Sequence, residues 1–363
     1  MANYRDIHGF QIEIRSDNPS NPIDGQVWYN TTDSKLRGAA VSSTGAWATG
    51  GTLNTAREYI AGAGVSNSAS LGFGGNEPPT SAKTESYNGT SWTEVNDLST
   101  GRNQMGGAGT YTSAVGFGGT PPLSNKTDTW NGTSWTEVAT MNTTTRLMGN
   151  AGSSSTNALS FGGLTPPNTS KNEKWNGTSW TEVADLNTAR DNIRGAGAAS
   201  TAALAFGGSS GPGSEEETET WNGSAWTEVG DLNSGRGNGA GFGTSTNAIA
   251  AGNVSSSGIT ELWDGTSWTE VSDLNTGRDY AFGFGAYTSG IVCGGAPNPK
   301  AQTEAWDGSS WTEVADLGTA GWAGNYQNGS SGTDGLISGG LPARTNLTEE
   351  WTVDVSNSTI TVS

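Results

Sequence analysis

Histidine and cysteine occur once each, as His8 and Cys293, in a chain of 363 residues. Without a second histidine, no nucleophile, base and orienting acid of the Ser-His type can form beyond position 8, and no His, Cys or acidic cluster shows metal-ligand spacing. A lone cysteine forms no internal disulfide. Cys293 sits in an apolar strand position and reads as a small buried hydrophobe rather than a nucleophile. Basic residues are scarce as well, 17 Lys plus Arg against 35 Asp plus Glu for a formal charge of −18, which argues against nucleic acid and anionic membranes as partners. No stretch approaches the roughly 20 apolar residues of a membrane span. The opening MANYRDIHGFQIEIRSD lacks the apolar centre of a secretion signal, so the chain is expected to be made in a cytoplasm and to stay soluble. Hydrophobic residues make up only 32%, too few for one large core in a chain of this length, so many small cores are expected.

What the chain has in abundance is repetition. The phrase WNGTSWTEVADLNTAR at 175–190 recurs with small edits. Its second tryptophan appears as Trp47, Trp92, Trp135, Trp180, Trp226, Trp268 and Trp311, at separations of 45, 43, 45, 46, 42 and 43 residues. Its first aromatic is Tyr87, Trp130, Trp175, Trp221, Trp263, Trp306 and Trp351. These two columns hold 13 of the 15 tryptophans, so tryptophan here is mostly framework. Asn-Gly between Thr-rich aromatic runs predicts a β-hairpin with both turn residues at positive φ. A two-residue turn makes the two tryptophans diagonal neighbours and a four-residue loop sets them directly opposite. Both registers put the rings on one face.

Each period divides into four strands. A Gly/Ala-rich strand follows the arginine that ends the phrase, and its small side chains suit the crowded innermost position of a radial array. After a polar turn comes a strand alternating apolar residues, as at Leu71/Phe73, Val115/Phe117, Leu159/Phe161 and Leu204/Phe206, and ending in Gly-Gly. A variable loop precedes the Asn-Gly hairpin, which supplies strands three and four. Four strands in about 44 residues is one blade of a β-propeller. The order of Gly-Gly, aromatic and tryptophan is similar to the kelch repeat over residues 46 to about 355. This resemblance implies an all-β, seven-bladed kelch-type β-propeller at 46–363. STGAWATG at 43–50 aligns with a fourth strand, while the last unit has Trp351 but no following SWTEV. The N-terminal strand with Trp47 is therefore expected to complete a blade whose other three strands lie in 321–355, with a 359–362 strand as the competitor for that slot.

Residues 1–45 form a separate segment, with a hairpin predicted from 26–30 and 35–41 joined by 31–34. The phrase GQVWYNTTDSKLR there resembles phrases near the N-termini of tail-fibre and other virion proteins of tailed bacteriophages. That resemblance implies a non-enzymatic virion component, made in the host cytoplasm, whose propeller is displayed on tail or capsid. The partners implied are other virion proteins through residues 1–45 and a host-surface glycan or protein. A homo-oligomer is compatible with this reading, and no cofactor or metal is called for.

The alternative is a carbohydrate-active enzyme using two carboxylates alone, for which the run Glu215, Glu216, Glu217 is the nearest candidate. A solvated loop is the simpler account of that run. The sequons at Asn88, Asn131 and Asn176 read first as hairpin turns.

Recognition is expected on one rim. In a four-stranded blade the loops from strand two to three and from strand four to the next blade share a rim. That rim carries the loops 76–83, 120–126, 164–171, 209–217 and 296–301, the places where units differ. Pro121, Pro122, Pro166 and Pro167 are its candidate binding residues, together with the recurring Arg57, Arg102, Arg146, Arg190, Arg236 and Arg278. The arginines also have a structural reading, as partners for Glu94, Glu137, Glu182, Glu228, Glu270 and Glu313 two residues after the outer tryptophan. In the last unit the series is broken by Gly321.

Overall fold

The computed structural model describes residues 12–19, 26–211, 213–253, 257–322 and 332–359. Among them there are strands and no helices, and the chain divides into two compact units, 1–46 with 352–363 and 47–351. The division at 46/47 falls one residue from the expected boundary. Residues 352–363 group with the N-terminal unit rather than with the repeat.

In the N-terminal unit, Glu13–Arg15 runs parallel to Val27–Asn30, which pairs antiparallel with the start of Lys35–Thr49. The turn between the latter two is tied by Asn30, whose side-chain oxygen accepts the Thr32 N–H at 2.9 Å. Trp28 is fully buried, and its indole N–H donates to Asn18 Oδ1 at 3.2 Å.

The larger unit is a β-propeller of repeated, mostly four-stranded antiparallel sheets, six of them with four strands in sequential order. The sheet 149–183 shows the pattern: Gly149–Ser154, Asn157–Phe161, Asn172–Trp175 and Trp180–Val183 lie side by side. Glycine on the first strand has a packing reason. A Cβ at Gly149 would stand 2.2 Å from the ring of its cross-strand partner Phe161, so the large side chain on one strand requires none on the other. Where the second strand ends in Cys293 instead of Phe, the partner position carries Phe282, and the pair keeps its bulk with the roles exchanged.

The Asn-Gly hairpin has the four-residue loop. Trp175 stands directly opposite Trp180, with ring centroids 5.4 Å apart. The expectation that both turn residues take positive φ is corrected: only Gly177 does, at 94°. Asn176 acts through its side chain instead, accepting the N–H groups of Thr178 and Ser179 at 2.9 Å each, which folds the loop without a left-handed Asn.

Each small core lies between consecutive sheets. Leu159 and Phe161 of one sheet pack with Trp221 and Trp226 of the next, and Phe117 meets Trp180 at 4.9 Å. The outer tryptophan also crosses the seam with its indole N–H. Trp135 donates to Thr84 Oγ1 at 2.8 Å, Trp180 to Thr127 at 2.7 Å, Trp268 to Thr218 at 2.9 Å and Trp311 to Thr260 at 3.0 Å, each threonine opening the third strand of the preceding sheet. The same bond links Trp92 to Thr348 and Trp47 to Thr303, both at 2.8 Å.

At one seam the threonine is replaced by Asn172, and there both the Trp226 indole N–H and the Asn172 side-chain oxygen are buried without a partner. Two orphaned groups facing one seam destabilise it. Asn172→Thr is expected to raise unfolding stability by about 1 kcal/mol, the net worth of one such bond, although the amide's own bond to the Ala184 carbonyl is lost. Chemical denaturation is the check, and a variant melting at or below wild type would refute this account of the seam.

Candidate functional site

The rim that carries the variable loops is held by buried ion pairs. Arg190 shows the arrangement. One Nη donates to the carbonyls of Gly207 at 2.7 Å and Glu217 at 2.6 Å, and the other to Glu219 Oε1 at 2.8 Å. The first bonds pin the Gly-Gly corner to the far end of its loop, and the last fixes the loop to the third strand. Arg57 with Glu85, Arg102 with Asp128, Arg236 with Glu261 and Arg278 with Glu304 repeat it, every guanidinium at most 1% exposed. Burial lowers the pKa of Arg57, Arg102 and Arg236 below the ordinary value, and the nearby carboxylates oppose the shift. These five arginines therefore present nothing to a ligand.

Their acids are also not the expected ones. Glu94, Glu137, Glu228, Glu270 and Glu313 lie on the exposed side of the fourth strand, and the buried partner is the residue directly across from each on the third strand, as Glu219 is from Glu228.

Arg146 departs from this series. The slot in its unit is taken by Thr145, 2% exposed, and Arg146 stands one residue later, donating to Gln104 Oε1 at 2.6 Å. It pairs with Leu164 in the bridge position that Glu58, Asn103, Asp191, Asp279 and Trp322 hold elsewhere. Of the six candidate arginines, Arg146 is thus the one on the rim surface. Pro121, Pro122, Pro166 and Pro167 are exposed at the loop tips, as are Pro78, Pro79, Pro297 and Pro342.

Sequence reasoning missed the collar that follows. Immediately after five of these six bridge positions, Trp322 being the last described residue of its stretch, the chain passes through a residue in the left-handed region without being glycine: Tyr59 at φ 51°, Gln104 at 52°, Leu147 at 54°, Asn192 at 51° and Tyr280 at 50°. Such a conformation costs of order 1–3 kcal/mol for an ordinary side chain, so its fivefold recurrence marks a position the fold demands. Main-chain bonds run from unit to unit along it, from Asn192 N–H to Leu147 O at 3.0 Å and from Tyr280 N–H to Asn238 O at 3.0 Å.

The collar side chains vary among the units. Tyr280 and Trp322 are both half-buried and meet with centroids 5.4 Å apart and ring planes tilted by 42°, an aromatic pair outside the framework columns. Asp191 and Asp279 are 8% and 9% exposed, and burial raises both carboxyls above their usual range against the pull of Arg146 and Arg194 respectively. Asn168 donates to Asp191 at 3.3 Å. Asp279 accepts the Tyr280 main-chain N–H at 2.8 Å, so a largely buried carboxylate, with Arg194 acting on it, lies beside the aromatic pair.

The carboxylates singled out for hydrolysis are arranged otherwise. The Ser210 hydroxyl donates to Glu215 and lowers its carboxyl, and burial raises that of Glu217. Cys293 is fully buried, and burial pushes its thiol up, away from the reactive thiolate. His8 lies outside the described residues. Among the described residues no group of three or more His, Cys, Asp or Glu is placed to hold a metal ion.

No protein-family model matches the chain, and no curated protein matches it. Among solved structures it is similar to YjhT, which has a propeller-type fold, at 13% identity and a TM-score of 0.55 over 72% of this chain and 98% of that one. At that identity the likeness shows the fold alone.

The buried pairs give a direct test. Removing only the cation, as in Arg190→Met, leaves the buried Glu219 charge without its cation and the Gly207 carbonyl undonated, while Glu217 O keeps the Gly207 N–H, and is expected to cost about 3–5 kcal/mol in denaturant unfolding. Replacing both partners, Arg190→Met with Glu219→Leu, should recover part of that loss. A single variant within 1 kcal/mol of wild type would show that the pair does not hold the corner.

Proposed function

We propose that the chain is a non-enzymatic virion component of a tailed phage, and that its kelch-like propeller contacts a host-surface glycan through the loop rim and the collar inside it. The observation that carries the reading is the collar. Its side chains vary among units on a backbone that does not, they include the half-buried Tyr280–Trp322 pair, and Asp279, which accepts the Tyr280 main-chain N–H, puts a carboxylate beside that pair. Aromatic faces take the apolar faces of sugar rings, and fixed polar groups take hydroxyls, a division of labour found in small-molecule sites generally. Attachment through residues 1–45 to other virion proteins rests on the resemblance of GQVWYNTTDSKLR.

Within 47–351 we infer seven blades closed into a ring. The support is the cycle of seam contacts: Trp92 reaches Thr348, Trp135 reaches Thr84, and so on to Trp47, which reaches Thr303 and so occupies the outer place of the blade that contains Trp351. Of the rival strand at 359–362, residues 360–362 lie outside the described residues, and Thr359 ends the strand Thr348–Thr359.

Two experiments follow. Replacing 120–126 and 164–171 by Gly-Ser linkers should abolish adsorption of the labelled protein to host cells with Tm nearly unchanged, and the wild type should release no reducing ends from the glycan it binds. Binding that survives the replacements, but is lost on changing the Asn-Gly turns or residues 1–45, would move the site. Deleting residues 1–50 should open the ring and broaden unfolding into a less cooperative transition, because a strand edge is left unpaired. Equal melting of the truncated and full chains would contradict closure by Trp47.

A further inference from the structure

Five units show how this fold holds a guanidinium, and one keeps the holder without the cation. Ten residues after Trp311, where Trp180 is followed by Arg190 and Trp268 by Arg278, stands Gly321. The acceptors of that slot remain. Glu349 takes the place of Glu219 and Glu304, and the carbonyls of Gly339 and Leu347 take the places of Gly294 and Gln302, to which Arg278 donates. Leu347 O already receives the Gly339 N–H at 3.0 Å, as Gln302 O receives that of Gly294 at 3.1 Å, so the corner is built alike.

The carboxylate is short of donors. Glu219 receives the Asn187 main-chain and side-chain N–H groups as well as Arg190. Glu349 has the main-chain N–H groups of Gly318 at 2.6 Å and Thr319 at 3.0 Å, with glycine at the position of Asn187.

The slot is open. A Cβ at Gly321 would meet, within 4 Å, the Leu341 carbonyl oxygen at 3.0 Å, and the φ of Gly321 is not in the left-handed region. The other unit without an arginine at this position is different, because there Thr145 fills the space and its Oγ1 would lie 2.4 Å from a Cβ at Gly163. Solvent reaches the slot: Gly318 and Thr319 are exposed, Gly321 is half-buried and Glu349 is 9% exposed.

We propose that this vacant arginine slot binds the guanidinium group of a small cationic ligand. The planar fork meets the Glu349 carboxylate with one amino group and the Gly339 and Leu347 carbonyls with the other, a geometry that a compact ammonium ion does not reproduce. The inference stands apart from the rim and from the virion reading.

Thermal unfolding of the full chain at constant ionic strength tests it. Methylguanidinium, N-acetylarginine amide and butylammonium are compared at up to about 10 mM, below denaturing levels. Methylguanidinium is expected to raise Tm saturably by about 1–3 °C, with butylammonium inert. A matching rise with N-acetylarginine amide would assign the slot to arginine side chains as well, and no rise with it would restrict the slot to small free cations. Glu349→Gln should lose the response. Gly321→Arg should melt above wild type and no longer respond. Equal effects of methylguanidinium and butylammonium, a response retained in Glu349→Gln, or a Gly321→Arg protein that melts below wild type or fails to fold would each overturn the proposal.

Discussion

The seam between neighbouring sheets is the contact on which the rest of the propeller depends. A three- or four-residue strand cannot bury a face alone, and a sheet of four such strands has no interior. Stability comes from wedging each sheet against the next, with a phenylalanine of one and the two tryptophans of the other filling the gap and an indole N–H donating across to a threonine. Once tryptophan fills the outer part of the wedge, the inner part must be thin. Glycine and alanine on the first strand are the other side of that requirement, as the Gly149 and Phe161 pair shows.

Arginine solves a different problem on the rim. The Gly-Gly corner turns the chain sharply and leaves carbonyls facing inward, away from water. A guanidinium has enough donors to serve two carbonyls and a carboxylate at once, which is why the residue recurs although it is buried. Rigid corners let the loop tips vary. The proline loops and the collar can change composition from unit to unit because the main chain beneath them is already tied.

Much of this was legible in the sequence, and the gaps have definite causes. Tryptophan spacing identified the repeat because framework residues recur at fixed intervals. It could not decide the hairpin loop length, since both registers leave the rings on one face, and the decisive bonds run to the Asn176 side chain. The acid that pairs with each arginine was placed one strand too far out. Glu219 and Glu228 are cross-strand neighbours, and spacing alone does not say which of two facing acids is buried. Arg146 could have been told apart, since it follows its tryptophan by eleven residues where the buried arginines follow theirs by ten. The collar had almost no signal, because Tyr59, Leu147 and Tyr280 are side chains that seldom adopt positive φ. Only Trp322, outside both columns, pointed toward it.

The hairpin loops bear on how the protein ages. Asn-Gly is the dipeptide most prone to deamidation, through attack of the glycine nitrogen on the asparagine side-chain carbonyl carbon. In this fold the side-chain oxygen of Asn176 is clamped by two main-chain N–H groups, and the rotation that attack requires must break both. Two units already carry the product residue in the same turn: Asp264 accepts the N–H groups of Thr266 and Ser267, and Asp307 those of Ser309 and Ser310, with the carboxyl of Asp307 held down to about 2 by these bonds. A loop whose succinimide opens to α-aspartate therefore keeps its shape and gains one negative charge, whereas opening to isoaspartate puts an extra methylene into the main chain and breaks the pattern.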